Sequence, residues 1–148
     1  MYLEPLPDHP PWELPESIDT SALLDAVSEL LIDQGLGSSL IEASVKWRRL
    51  FEKAALGRMK RNRDFKFVKL DPTNQLIELR VDLATTESVA PTRLVCALVN
   101  KDGPIVPMLF FIKQFGGSPD SDRAIQNEIF ELAISMKGKA VAKYSKGK

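Results

Sequence analysis

One cysteine, Cys96, and one histidine, His9, are all that this 148-residue sequence holds of two side chains common at catalytic and metal centres. A single cysteine excludes an intrachain disulfide and any cysteine-cluster metal site. Its position within an apolar run marks it as a buried structural thiol. His9 lies in a proline-rich segment, so Ser-His-Asp, Cys-His and histidine-based zinc chemistry all lack their partners. Acid–base work, if there is any, falls to Lys, Arg, Asp, Glu or Tyr. Long apolar runs are also missing: nothing approaches the roughly eighteen residues of a membrane span. The N-terminus carries proline and acid where a secretory signal would carry Lys or Arg and then an apolar stretch. These features predict a cytoplasmic chain with no membrane partner.

Positive charge is absent from residues 1–34, which hold eight acids: Glu4, Asp8, Glu13, Glu16, Asp19, Asp25, Glu29 and Asp33. Residues 46–69 reverse this, with ten bases (Lys46, Arg48, Arg49, Lys53, Arg58, Lys60, Arg61, Arg63, Lys66, Lys69) against Glu52 and Asp64. The formal net charge of zero conceals that division. A split of this size points to a nucleic-acid surface or to an internal electrostatic clasp; a basic helix with a solvated face is the plain alternative. In the clasp reading, residues 1–34 lie against the basic stretch and screen it. The plain counterpart makes the first helix a core helix with a wet acidic face.

The pattern along the chain predicts an α+β fold: two N-terminal helices packed on a small antiparallel sheet of about four strands, with a C-terminal helix. Residues 1–18 read as an extended proline-rich acidic arm, which Trp12 and Leu14 are able to pin to the body. Residues 19–138 read as one domain: a helical hairpin over 19–62, a sheet over 63–115 and a helix over 118–138. Residues 139–148 read as a mobile lysine-rich tail.

The first helix spans about 20–34, capped by Asp19 or Thr20, with Leu23, Val27, Leu30 and Leu31 as its apolar stripe and Gly35 at its C-terminal end. The second starts at a capping box, Ser39 with Glu42, and runs to about Arg61. Leu40, Val45, Trp47, Leu50, Phe51, Ala54 and Met59 are its buried side, and Trp47 is a core anchor. Phe65–Leu70 is a short strand before a turn at 71–74. In 76–83, Ile77, Leu79, Val81 and Leu83 alternate with Glu78, Arg80 and Asp82, the pattern of a half-exposed strand with a charged outer face. Residues 92–99 are apolar on both faces, as in a central strand, and Asp102-Gly103 marks a hairpin. Pro107 demands a bulge or a sheet edge. Ser118, Pro119, Asp120 and Asp122 open the last helix, with Ile125, Ile129, Leu132 and Met136 as its buried stripe. Gly116-Gly117-Ser118-Pro119 reads as a capped loop rather than a phosphate cradle.

The order LIELRVDL, TRLVCALV, Asp-Gly turn, IVPMLFFIKQF and capped helix, with "ELR", "RLV" and "FFIK" where they fall, resembles the RelE/HigB-like branch of the RelE/ParE toxin superfamily. The resemblance covers about residues 46–137. It implies a cytoplasmic toxin of a type II toxin–antitoxin system, an mRNA interferase or RNA-binding protein acting on ribosome-associated mRNA without metal or cofactor. Its partners are then mRNA, the ribosome and a cognate antitoxin. By the same resemblance Arg80, Arg93 and Lys113 are the catalytic cations, stabilising charge on a phosphorane-like transition state. Arg48, Arg49, Lys53, Lys60, Arg61, Arg63, Lys66 and Lys69 are the expected RNA-binding residues. The family's second lysine is replaced here by Gln114, and the tyrosine or histidine near the start of its last helix by Asp120, Asp122 and Arg123. The alternative is a non-catalytic interaction or assembly protein, of phage or mobile-element origin, on the same fold.

Overall fold

The computed structural model describes residues 6–84, 89–113 and 117–145. Its elements follow the predicted order: α1 (Thr20–Asp33), a single 3₁₀ turn (Gly37–Ser39), α2 (Leu40–Ala55), β1 (Phe65–Phe67), β2 (Leu76–Ala84), β3 (Val89–Leu98), β4 (Ile105–Ile112) and α3 (Pro119–Ser145). The strands form an antiparallel meander in the order β1-β2-β3-β4. Two N-terminal helices, a four-stranded antiparallel sheet and a C-terminal helix make this an α+β fold, as the hydrophobic periodicities predict. No helix among the described residues is long and apolar enough to cross a membrane.

Alternation along the strands produces two cores. Ile77, Leu79, Val81 and Leu83 of β2, with Leu94, Cys96 and Leu98 of β3, face Leu24, Val27 and Leu31 of α1 and Trp47, Leu50 and Ala54 of α2. Burial pushes the Cys96 thiol far above its ordinary range, which makes it an inert packing group. The opposite face, with Leu76, Val95, Ala97, Val106 and Phe111, packs on α3. Trp47 is the expected anchor: its indole N–H donates to Thr92 Oγ1 at 3.1 Å, and that hydroxyl donates to the Val81 carbonyl at 2.5 Å. A helix is thereby fixed to two strands at once.

Several local expectations change in three dimensions. Asp19 caps α1 by accepting from the Ser21 N–H, and Gly35 takes φ +75° at its end. Ser39 and Glu42 form no capping box. The Ser39 hydroxyl donates to the Ala84 carbonyl and Glu42 accepts from the Ala84 N–H, so both side chains seal the end of β2. The second helix ends at Ala55, not near Arg61, because Gly57 turns the chain at φ +69° beneath the N-terminal arm. Val45 is exposed rather than buried. The strand expected over 65–70 stops at Phe67.

Pro107 is accommodated in both predicted ways: β4 is an edge strand, and its pairing with β3 shifts register between Val95 and Cys96. The last helix runs through Gly138 to Ser145, where a mobile tail was expected; residues 146–148 lie outside the described residues. Its buried side differs too. Ala133 is fully buried, with Ile129, Phe130, Ile134, Ala140, Val141 and Tyr144 packed nearby, whereas Ile125 and Leu132 face outward.

The arm is part of the core. Trp12 is 2% exposed, its backbone N–H donates to the Ala54 carbonyl and its indole N–H to that of Lys101, and the Glu13 carbonyl accepts from the Ile105 N–H at the start of the β4 edge. His9 stacks on Trp12 at 4.3 Å between ring centroids and meets Phe65 edge-on. Its Nδ1 donates to the Pro10 carbonyl at 2.6 Å, while Nε2 accepts from the Met59 N–H at 3.0 Å. Both roles require the neutral ring. Burial lowers the His9 pKa, against the Pro10 carbonyl, Asp8 and Asp64, which favour the charged form.

A lowered folded pKa means that the folded state binds fewer protons, so stability falls as pH falls. His9's contribution is complete above its unfolded value near 6.5 and is lost as pH drops below that value through the folded one. His9→Ala, which orphans the Met59 N–H, is expected to cost about 1–3 kcal/mol at neutral pH. The difference in stability between wild type and variant should shrink on acidification from neutral pH. Urea unfolding across that range checks it; a difference independent of pH would refute the neutral-ring lock.

Candidate functional site

β1 is three residues long and pairs with β2 only from Ile77 to Leu79, which leaves the edge of β2 without a strand partner from Arg80 onward. Side chains and a loop cover it instead. The Arg80 N–H donates to the Asp64 carbonyl, Lys46 Nζ donates to the Asp82 carbonyl at 3.0 Å, and Glu42 holds Ala84. Edge groups left to solvent would otherwise pair with another chain. Between α2, the 60–64 loop and this edge lies a cleft of about 510 Å³.

Five cations line the cleft: Lys46, Arg49 and Lys53 from α2, Arg63 from the loop and Arg80 from β2. Lys46, Arg49 and Lys53 follow one another by three and four residues, so a single helix face delivers all three. The two acids present are already engaged. Asp64 accepts from the Lys60 N–H at 2.8 Å and pairs with Arg63, and Asp82 accepts from Arg93 at 2.9 Å. Burial opposes the Asp64 charge, but the Lys60 N–H, Arg63 and Lys53 outweigh it and hold the carboxyl below its ordinary range. Asp64 therefore serves to shape the loop as a fixed carboxylate. A second hollow of about 710 Å³ adjoins the first, shares Arg49 and Lys53 with it, and adds Arg58 and Lys60 against one acid, Glu52. The two make one basic groove along the C-terminal half of α2.

The predicted catalytic cations come together on one sheet face, the one facing α3. Arg80 stands directly opposite Arg93, and Arg93 opposite Phe111, two residues before Lys113. Their environments differ sharply. Arg93 is 4% exposed, and its Nη1 donates to Asp82 and to the Thr92 carbonyl. Arg80 is half-buried and donates to the Asn62 carbonyl. Lys113 is exposed. The face expected to be an open charged surface is in fact covered by α3, and Glu78 on it is 6% exposed. Glu78 Oε1 lies 3.7 Å from Nε of both Arg80 and Arg93, near enough for charge pairing but too far for a hydrogen bond. Its Oε2 and both Nε atoms have no hydrogen-bond partner. Burial pushes the Glu78 carboxyl above its ordinary range, and Arg93, Arg80, Lys113 and Lys66 draw it back only in part.

Of the residues expected to bind RNA, Arg49, Lys53, Lys60 and Arg63 line the groove, whereas Lys66 and Lys69 lie near Lys113 beside α3. The Arg61 guanidinium sits over the Phe67 ring at 5.0 Å, and its backbone N–H donates to Asp8. Arg48 is exposed and lines neither hollow. Lys46, outside that expected set, joins Arg49 and Lys53 in the cleft, and its helical spacing to them is the signal in the sequence. Among the described residues no salt bridge joins an acid of 1–34 to a base of 46–69, and the arm is held by Trp12, His9 and the Asp8 carboxylate, which accepts from the Arg61 N–H. The Gly117 N–H donates to Asp122 and the Ser118 hydroxyl caps α3, so Gly117 and Ser118 are tied to the start of that helix, while Gly116 lies outside the described residues. Among the described residues no group of three or more His, Cys, Asp or Glu is placed to hold a metal ion.

Removing a buried charge partner leaves its mate unpaired in a poorly solvated layer. Arg93→Ala is therefore expected to lower stability by about 3 kcal/mol, since Glu78 and Asp82 lose it together. Lys113→Ala on the same face, being exposed, should change stability by about 0.5 kcal/mol or less. Denaturant unfolding of the two variants checks this, and equal effects would show that burial does not separate their roles. No family model, curated protein or solved structure matches this chain, so the resemblance to the RelE/ParE superfamily rests on the sequence pattern.

Proposed function

We propose that the chain is an RNA-binding protein of the toxin type it resembles, gripping single-stranded RNA by its phosphates along the groove between α2 and the β2 edge. The observation that carries this reading is the convergence of Lys46, Arg49, Lys53, Arg63 and Arg80 on one cleft whose two carboxylates are already neutralised. Phosphate is the ligand such a set suits, because guanidinium and ammonium groups donate to its oxygens and both carboxylates of the cleft are already paired. A groove continued by Arg58 and Lys60 has the form that tracks a strand rather than holding a single anion. Ribosome-associated mRNA as the RNA, and an antitoxin as the protein partner, belong to the same proposal and come from the resemblance. Binding is favoured over cleavage here, because Asp64 and Asp82, the two carboxylates of the cleft beside β2, are both committed.

A second reading, docking of a protein partner, is favoured by the outer face of α2. Ile41 is 83% exposed, and Val45 follows one turn later on the same side. This apolar strip lies on the same helix as the basic groove, where a partner would be placed to control access to it.

Arg49→Glu together with Lys53→Glu should weaken binding of oligouridine by about tenfold or more at moderate salt. The slope of log K against log salt should also flatten by roughly 0.7 for each phosphate contact removed. Arg48→Glu, off the groove, serves as the control. Fluorescence anisotropy over a salt series measures both, and an unchanged slope in the double variant sinks the groove. Induced expression of the chain, with growth and RNA profiles recorded, tests the toxin reading separately.

A further inference from the structure

The most regular apolar stripe of α3 is not the one that packs on the sheet. Phe130, Ala133, Val141 and Tyr144 meet the second core, against β2, β3 and β4. Helix phase leaves a neighbouring stripe turned away from it: Ile125 is 36% and Leu132 52% exposed, and Ile129 and Met136 are half-buried at its border. These four follow one another at intervals of four, three and four residues. That is the period at which one helix packs a seam against another. Three residues further along at each end, the same seam reaches Asp122 and Lys139. Asp122 lends one carboxylate oxygen to the Gly117 N–H, and Lys139 is exposed. The stripe therefore runs acid, four apolar residues, base.

We propose that α3 pairs with α3 of a second copy of this chain, antiparallel, along this seam. A two-fold axis between Ile129 and Leu132 makes the contact self-complementary. Ile125 then meets the partner's Met136, Ile129 meets the partner's Leu132, and Asp122 meets the partner's Lys139. Charge selects the occupant and its direction. Parallel pairing would set Asp122 against the partner's Asp122 and Lys139 against the partner's Lys139, and like charges so placed repel. The rest of the helix is divided in the same sense. Residues 119–131 hold Asp120, Asp122, Glu128 and Glu131 against Arg123, whereas 132–145 hold three lysines and no acid. Opposed helix dipoles favour the same order. A partner helix must present base, apolar seam and acid in reverse order, and this chain carries that complement itself.

The pairing stands apart from the RNA-binding reading. α2 packs on the opposite face of the sheet, so the pair would carry two basic grooves, neither covered by the contact between the α3 helices.

The seam is about three turns long, small beside a standard interface, so the pair is a reversible one. Sedimentation equilibrium of the full chain, from roughly 10 µM to 1 mM, is expected to show monomer and dimer exchanging. Ile125→Glu together with Leu132→Glu, both at exposed positions, should leave a monomer throughout and change thermal unfolding little in dilute solution. Lys139→Glu alone should weaken pairing by about tenfold, and adding Asp122→Lys to it should recover the loss, because opposite charges meet again. If the apolar double variant fails to fold, the charge variants carry the test. Cys96 is buried and silent, so introduced thiols report direction. Ile125→Cys mixed with Met136→Cys should form a disulfide-linked mixed dimer in air, at the expense of either chain linking to itself. A wild type that stays monomeric at every concentration overturns the proposal. So does a dimer indifferent to the apolar and charge variants, which would place the contact elsewhere, as on Ile41 and Val45 of α2. Ile125→Cys linking to itself in preference to Met136→Cys overturns the antiparallel order.

Discussion

Two arginines face each other across β2 and β3 on the side covered by α3, and much of the molecule follows from making that tolerable. Like charges directly opposite in a sheet repel, and here the pair is largely withdrawn from water. The sequence of β2 answers this with Glu78 two residues before Arg80 and Asp82 two residues after it. The first sits 3.7 Å from both guanidinium Nε atoms, and the second takes Nη1 of Arg93. The alternation that looked like an exposed charged face is thus an internal ion ladder. Its incomplete hydrogen bonding at Glu78 and at both Nε atoms marks it as a place where structure has not used every polar group.

Position in the ladder also divides the cations by role. Arg93 is consumed by the protein, Arg80 is held at the boundary, Lys46 is tied to Glu42 and the Asp82 carbonyl, and Arg49 and Lys53 of α2 present their charge to the cleft. The short β1 is what creates this boundary. Because it pairs with only three residues of β2, the remaining edge must be closed by Ser39, Glu42, Lys46 and the 60–64 loop. The loop that closes the edge also brings Arg63 and Asn62 to the cleft. Sealing a sheet edge and building a basic groove are therefore one structural act.

Much of the fold was legible in the chain. The strand over 76–83, the Asp102-Gly103 turn, Pro107 at an edge with a shifted register, Gly35 at a helix end and Trp47 as an anchor are all local signals, and each meets the structure as expected, although the charged face of that strand is covered by α3. The candidate site was legible only in composition. The ten bases of 46–69 announce a charged surface, but helix phase and loop path assign Arg49, Lys53 and Arg63 to the groove, Arg48 to open solvent and Arg61 to the Phe67 ring.

By itself the sequence determined the kind and order of the helices and strands, though not all of their ends, because hydrophobic period, turn chemistry and caps act between near neighbours. It also determined that acid and base are segregated along the chain. Only the tertiary structure decided what those charges do. Whether Ser39 and Glu42 cap a helix or close β2 depends on a strand more than forty residues away. Whether Glu78 is wet or buried depends on the path of α3, whose sheet-facing side is centred on Ala133 rather than on its larger aliphatic residues. Desolvation and pairing energies are set by groups distant in sequence, and so no local pattern states them.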